Sequence, residues 1–421
     1  MANIKPFKAV YYNSKKVKNV SKVVSPPYDV ISPEEQDELH ELSPYNFTHI
    51  DFGKDAPNDD KANNKYTRAK KIYAQWLKKG ILLQDEKPCI YFYKQDYKIM
   101  GQKHSRMGFI SLMELENEEE TKVYPHENTH SKAIDDRLRL CESLKSHLSS
   151  IFVCYSDRHR KIGKIFNKNV LVTQPMIDVE DNDKVHHKLW RLDNPGLIKE
   201  INDSLSGQHL FIADGHHRYK VATEYRAKRL SRITNSTGQE PFNYVMTYFT
   251  NMDSRDLQIF PMHRIVKGLP DNLDFLEEFF RIDKIKKKEE FLILLARAGR
   301  NEHAFGLYTR EGIKLLRLKN RLLIEKFVKE GSKEYKSLDA AILKSFVFDR
   351  VGIKSDDILY TKNINEVTER VNEFRVDAGF IMNPVKITQL RAIALNGERM
   401  PPKTTYFYPK VLSGLTVYKM G

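Results

Sequence analysis

Residues 209–225, HLFIADGHHRYKVATEY, impose a strand, a sharp polar turn and a helix in immediate succession. His209–Ala213 is a short apolar run of strand character. From Arg218 to about Arg229 the pattern turns helical, with Val221, Ala222 and Tyr225 on one side. Between them lie Asp214, Gly215, His216, His217 and Arg218, more polar positions than a turn needs. Gly215 can adopt a left-handed backbone and lets a ligand approach the main chain. The unpaired N–H groups of the next helical turn, with His216, His217 and Arg218, make a candidate phosphate seat. Asp214 is a candidate magnesium ligand, histidine orienter or acceptor of a hydroxyl proton. A capped turn carrying two exposed histidines is the purely structural alternative.

The 421 residues suffice for two to four domains, and 40% apolar with 30% charged residues is ordinary for a globular protein. The opening MANIKPFKAVYYNSKK lacks a secretory pattern, and no apolar run is long enough to span a bilayer. Cys89, Cys141 and Cys154 have no metal-like spacing. The expectation is a cytoplasmic protein without membrane partner, zinc or iron–sulfur cluster. A net charge of +14 favours anionic partners. The charge is dispersed, except that six Lys or Arg face only Glu398 from Ile381 onward.

Strand and helix signals alternate irregularly, which predicts an α+β fold. Val23-Val24 reads as a strand end before Pro26-Pro27, and Ser32-Pro33 as a helix start. Residues 62–79 read as a helix, CIYFY, HSRMGFISLMEL, SSIFVCY, VLVTQPMIDV and FNYVMTYFT as strands, and a helix is expected from Ser131 to about His147. The expected organisation is a core with N-terminal elaboration over 1–268 and a lysine/glutamate-rich α+β segment over 269–375. A C-terminal segment, 376–421, would then dock back on the core. The run Lys286–Glu290 reads as a solvated helix face.

IADGHHRYKVA, together with SPPYDVIS (25–32), HENTHSKAIDDRLRL (126–140), FPMHRIV (260–266) and NGERMPPKTTYFYPKVLSGL (396–415), resembles a prokaryotic family known as domain of unknown function 1015. Its glycine-histidine-arginine turn is similar to that of the ParB/sulfiredoxin-like superfamily, which includes nucleases, CTP-dependent partition proteins, sulfiredoxins and a free-serine kinase. The resemblance implies a ParB/sulfiredoxin-like mixed core elaborated by further α+β segments, with nucleotide phosphate held by Gly215, His217 and Arg218. Sulfiredoxin carries a reactive cysteine in this turn; here His216 stands in the neighbourhood, which argues against sulfinic-acid repair. Family genes often neighbour serine-biosynthesis genes, which favours serine or phosphoserine as substrate.

His126-Glu127-Asn128-Thr129-His130 matches the H-E-x-x-H zinc-peptidase pattern, but Pro125 precedes it and the apolar period starts only near Ser131. A substrate- or phosphate-binding loop leading into a helix fits better, with Lys132 and Arg137 as phosphate ligands. Arg264 can line the same cleft, although a core histidine beside an exposed arginine is the alternative. In the tail, Lys403, Thr405 and Lys410 can neutralise and bind phosphate, while TYFYP also reads as a half-buried strand. The leading reading is phosphoryl transfer to or from a small metabolite, with His126, Glu127, Asp214 and His217 as candidate catalytic groups. Asp29, with Asp214 and Glu127, is a candidate metal ligand or base. The implied cofactors are Mg2+ and ATP or ADP. The other reading is a nucleotide-dependent DNA-binding or regulatory protein of ParB kind. No helix-turn-helix with a basic recognition helix is visible, so a small phosphorylated partner is favoured over nucleic acid.

Overall fold

The computed structural model describes residues 3–116 and 122–421. They divide into two compact units: residues 3–116, 122–125, 129–257 and 409–421 form the first, and 126–128 with 258–408 the second. Both mix helices and sheets, giving the α+β architecture expected.

In the first unit the dominant element is a mixed nine-stranded sheet. Its order runs Val123–Pro125, Leu210–Asp214, Ile151–Tyr155, Tyr244–Asn251, Gln102–Glu114, Ile90–Ile99, His186–Leu192, Ile177–Glu180, with Ile4–Lys5 added on Gln102–Glu114. The long hairpin Ile90–Ile99/Gln102–Glu114 is antiparallel, whereas Ile151–Tyr155 lies parallel to Tyr244–Asn251. The central strands are apolar on both faces, as Ile151–Tyr155 shows with five buried residues in succession. Phe92, Phe109, Val153, Phe166, Trp190, Ile212 and Phe249 join one core cluster.

A second core lies where the four-stranded sheet Leu82–Gln84, Ala9–Tyr12, Val417–Lys419, Ser146–His147 meets helices Lys65–Lys78 and Ser131–Leu144. The strand Val417–Lys419 pairs antiparallel with Ala9–Tyr12. Helix Ser131–Leu144 in turn packs on helix His216–Leu230.

Three local expectations need correction. Val23-Val24 is not a strand end: a turn of 3-10 helix spans Val20–Lys22, and a bridge from Ser25 to Ser413 follows, since Pro26 and Pro27 have no N–H to continue a ladder. In VLVTQPMIDV only Ile177–Glu180 is strand. The helix expected from Arg218 begins at His216.

The second unit is built on a six-stranded antiparallel sheet ordered Phe280–Ile285, Gly312–Leu318, Ala304–Thr309, Ala378–Ile381, His263–Val266, Ile358–Thr361. His263–Val266 pairs on one side with Ile358–Thr361 and on the other with Ala378–Ile381. These pairings place the boundary near residue 258 rather than 268, and group 376–408 with 269–375. The loop 126–128 joins this unit because Met400 N donates to the His126 carbonyl at 2.8 Å. No described helix is long and apolar enough to cross a membrane.

Candidate functional site

Gly215 is the pivot of the central turn. Its φ of +83° ends strand Leu210–Asp214 and caps helix His216–Leu230. A side chain there would meet the Arg218 guanidinium at 3.0 Å, so the missing Cβ is what lets that group lie across the turn. The first-turn amides at 216–218 have no intrahelical acceptor, as at any helix start.

Asp214 sits under this turn with both carboxylate oxygens engaged. Lys410 Nζ lies 2.6 Å from Oδ1, and Arg218 Nη2 donates to Oδ2 at 2.8 Å. Burial pushes the Asp214 carboxyl up, but Lys410 and Arg218 outweigh it and hold the group well below the usual carboxylate range. A carboxylate held by two cations is a poor base, and their charges repel a further cation, so the magnesium expectation at Asp214 does not fit this geometry. Among the described residues no cluster of three His, Cys, Asp or Glu could hold a metal ion. Asp214 instead fixes two cations in place.

Lys410 is itself held from below. Gln95 Nε2 donates to the Lys410 carbonyl at 2.8 Å, and the fully buried Arg106 donates to the carbonyl of Pro409. Arg106 also spans Gln95 Oε1 and packs against the rings of Phe152 and Tyr248.

Arg137 is buried and bound by protein groups. Its Nε donates to Asp136 Oδ2 at 2.8 Å, its Nη1 to the Asp51 carbonyl, and its guanidinium lies 4.2 Å from the centre of the Tyr28 ring. Lys65 and Tyr66 complete the cage around Asp136, whose carboxyl burial raises but Arg137 and Lys65 draw down to about 2. Its hydrogen bonds join helix Ser131–Leu144 to the segment carrying Asp51. Lys132 is exposed on that helix's first turn.

A cavity of about 50 Å³ opens beside these groups, lined by Tyr28, Asp51, Arg137, His147 and Arg218 with apolar walls from Val221 and Val245. Four buried polar atoms around it have no hydrogen-bond partner: Tyr28 Oη, Asp51 Oδ2, His147 Nε2 and Arg218 Nε. Buried polar atoms left unpaired cost free energy, so their convergence on one cavity calls for a polar occupant. Their chemistry is mixed. His147 Nδ1 accepts from Met246 N at 3.3 Å, and burial pulls the ring down to about 4, leaving a neutral imidazole with its proton on Nε2. Arg218 Nε–H, His147 Nε2–H and the Tyr28 hydroxyl are donors. Asp51 Oδ2 is the acceptor, and burial raises that carboxyl against the pull of Arg137 and Arg218.

The other candidates sit as follows. His217 Nε2 accepts from His130 N at 3.1 Å and its ring stacks on that of His130, so it helps start helix Ser131–Leu144. His216 is buried, which removes the reading of two exposed histidines. Asp29 is exposed and, with Asp214, Tyr28 and Asp51, supports the Arg218 charge against burial. His126, Glu127, Arg264, Lys403 and Thr405 belong to the second unit. There His126 is fully buried with Nε2 3.1 Å from Thr405 Oγ1, and Glu127 is half-buried. Lys403 is exposed at a left-handed φ of +51°. Arg264 is buried rather than exposed. His126–His130 precedes the helix, with His130 as its N-cap, so the single-face arrangement of a zinc peptidase is not formed.

Sequence pattern does not single out Tyr28, Asp51 and His147. Tyr28 lies inside SPPYDVIS, where Asp29 is the charged member. Asp51 closes the apolar stretch NFTHIDF, and an acid in such a setting was the available signal of burial. Nothing in KSHLSS marks His147.

A model of the family described as "Protein of unknown function (DUF1015)" matches residues 4–341. No curated protein matches the chain. Among solved structures, a free serine kinase in complex with AMP aligns at 15% identity over 68% of this chain and 83% of that one, with a TM-score of 0.34. SbnI with C-terminal truncation from Staphylococcus aureus aligns at 11% identity, 71% and 84% coverage and a TM-score of 0.35. A conserved hypothetical protein from Pyrococcus furiosus gives 13%, 71%, 92% and 0.33. Likenesses of this size are distant and do not establish a shared topology.

Proposed function

The chain belongs to the DUF1015 family, and we propose that it transfers a phosphoryl group to or from a small hydroxylated metabolite of the size of serine, with the cavity of the first unit as its site. The observation that carries this reading is the convergence of Tyr28 Oη, Asp51 Oδ2, His147 Nε2 and Arg218 Nε, none in a well-formed hydrogen bond with the protein, on one cavity beside a helix start. Three donors, one of them cationic, match the oxygens of a phosphoryl group. One acceptor with a raised pKa matches the hydroxyl that receives or releases it.

In the forward direction the acceptor oxygen bonds to phosphorus as the bond to the donor oxygen breaks. The hydroxyl proton passes to Asp51 Oδ2, and in the reverse direction Asp51 returns it. Phosphoryl transfer depends mainly on positioning and positive charge, which Arg218 supplies at Nε while its Nη2 is tied to Asp214. Asp214 and Lys410 are positioning residues here. The cavity is lined by polar groups suited to a substrate's polar end. No step is assigned to a nucleotide or to magnesium. A ParB/sulfiredoxin-like core is part of the same proposal, supported by the glycine-histidine-arginine turn at a strand-to-helix junction.

Tyr28→Phe is the sharpest test, because it removes a hydroxyl the fold does not use. Stability should stay within about 1 kcal/mol, while affinity for phosphoserine or inorganic phosphate falls about five- to tenfold, the worth of one hydrogen bond. Wild-type affinity in a Tyr28→Phe chain that folds normally would remove the cavity from the reaction.

A further inference from the structure

In the second unit, we propose that Arg264 is the centre of a separate oxyanion site that takes the carboxylate or phosphoryl head of a small molecule through the Nε–Nη2 edge of its guanidinium. Arg264 is 4% exposed and lies on strand His263–Val266, which is flanked on both sides within the six-stranded sheet. Its Nη1 donates to the Met262 carbonyl at 2.5 Å, and the Tyr360 ring stands 5.7 Å from the guanidinium. No carboxylate pairs with it among the described residues, and no protein acceptor there meets Nε or Nη2.

The contrast with the other buried arginines is what gives this weight. Arg137 and Arg218 each carry a carboxylate partner, and Arg106 is enclosed by Gln95, Pro409 and two aromatic faces. Arg264 instead lines a cavity of about 30 Å³ with Asp339, Asn383, Gln389 and Thr404. Asp339, the acid of that lining, is already engaged by His303 Nδ1 at 2.9 Å. Burial draws the Arg264 guanidinium down to about 10 against the pull of Tyr360 and Asp339, still far above neutrality, so the charge persists, and Asp339 offsets it only from a distance. A buried cation without a contacting counter-ion is costly to keep. The hydrogen-bonding edge it leaves open is the one that grips two oxygens side by side. The first turn of helix Ile387–Leu395 borders the same cavity, and its dipole adds to the attraction for an anion.

The test uses the full chain, titrated at constant ionic strength with inorganic phosphate and, separately, with acetate, reading thermal melting and calorimetric affinity. Wild type and Lys410→Met, which alters only the first-unit site, should both show saturable stabilisation by at least one anion. Against a Tyr28→Phe background, which weakens phosphate binding in the first unit, Arg264→Gln should bind that anion at least tenfold more weakly, yet melt no lower than its Tyr28→Phe parent in anion-free buffer. Arg264→Lys, which keeps the charge and loses the fork, should fall between them. Response to phosphate alone identifies a phosphoryl head; response to acetate identifies a carboxylate. Binding unchanged in Arg264→Gln, no anion effect in wild type, or an Arg264→Gln chain that fails to fold each overturns the proposal. Loss of anion binding in Lys410→Met but not in Arg264→Gln would assign it to the first unit alone.

Discussion

Lys410→Met removes the ammonium from Asp214 Oδ1 while keeping the length and apolar stem of the side chain. The two groups are 2.6 Å apart, with side-chain exposures of 11% and 17%. At an effective dielectric near 20 that distance corresponds to roughly 6 kcal/mol of gross attraction. Freeing Lys410 from its own desolvation returns several kcal/mol of this. Arg218 still holds Oδ2, so Asp214 is not left alone, and the expected net loss is about 2–3 kcal/mol. The pH dependence has a definite sign. Asp214 has a folded pKa below its unfolded value, so its stabilisation is present above about pH 4 and fades as pH falls through the folded value. Removing Lys410 raises the folded pKa, so the gap between wild type and variant should be full from pH 7 to about 5 and shrink below 4. Trp76 and Trp190 are the chain's two tryptophans and both lie in the first unit, so their fluorescence during urea unfolding reports that unit alone. With an m-value of about 3 kcal/mol/M the midpoint should fall by roughly 0.7–1 M at pH 7. A variant with the wild-type midpoint at pH 7, or a gap that widens on acidification, would refute the ion-pair reasoning.

Gly215→Ala should cost about 1–2 kcal/mol for the left-handed backbone and more for displacing the Arg218 guanidinium, with ligand affinity falling in step; urea unfolding and a phosphate titration check it. Asp51→Asn should flatten the pH dependence of stability. The raised folded pKa of Asp51 means that wild type loses stability as pH climbs above about 4, a loss the amide does not share, while turnover should drop at least a hundredfold for want of a proton acceptor. Arg218→Ala should weaken binding of a phosphate-bearing ligand by about 2–4 kcal/mol, measured by calorimetry; an unchanged affinity would exclude Arg218 from the site.

Periodicity made the main elements legible. Helix Ser131–Leu144 starts where the apolar repeat does, and Ser32 caps helix Pro33–Leu42 in a capping box, as its sequence signals. The strand-turn-helix at 210–230 was readable because Gly215 and the polar run interrupt two different periods. What could not be read was partnership. Arg137 and Lys410 are both basic residues in motif-rich stretches, and only the fold assigns one to Asp136 and the other to Asp214. The boundary of the second unit escaped for the same reason: His263–Val266 is a short strand whose neighbours come from residues about a hundred positions later, a pairing that local pattern does not encode. The cavity is the extreme case. It is defined by what Tyr28, Asp51, His147 and Arg218 fail to touch, a property of packing alone.

A phosphorus-31 magnetic resonance time course is the most direct measurement of the central claim. The full-length protein would be incubated with Mg2+ and ATP or ADP plus serine, and in parallel with phosphoserine and a panel of small phosphorylated metabolites. The account predicts that at least one phosphorus resonance is converted catalytically by wild type, and that conversion falls by two orders of magnitude or more in Asp51→Asn and Arg218→Ala. No conversion of any member of the panel by the wild-type chain, or conversion that proceeds unchanged in both variants, would contradict it.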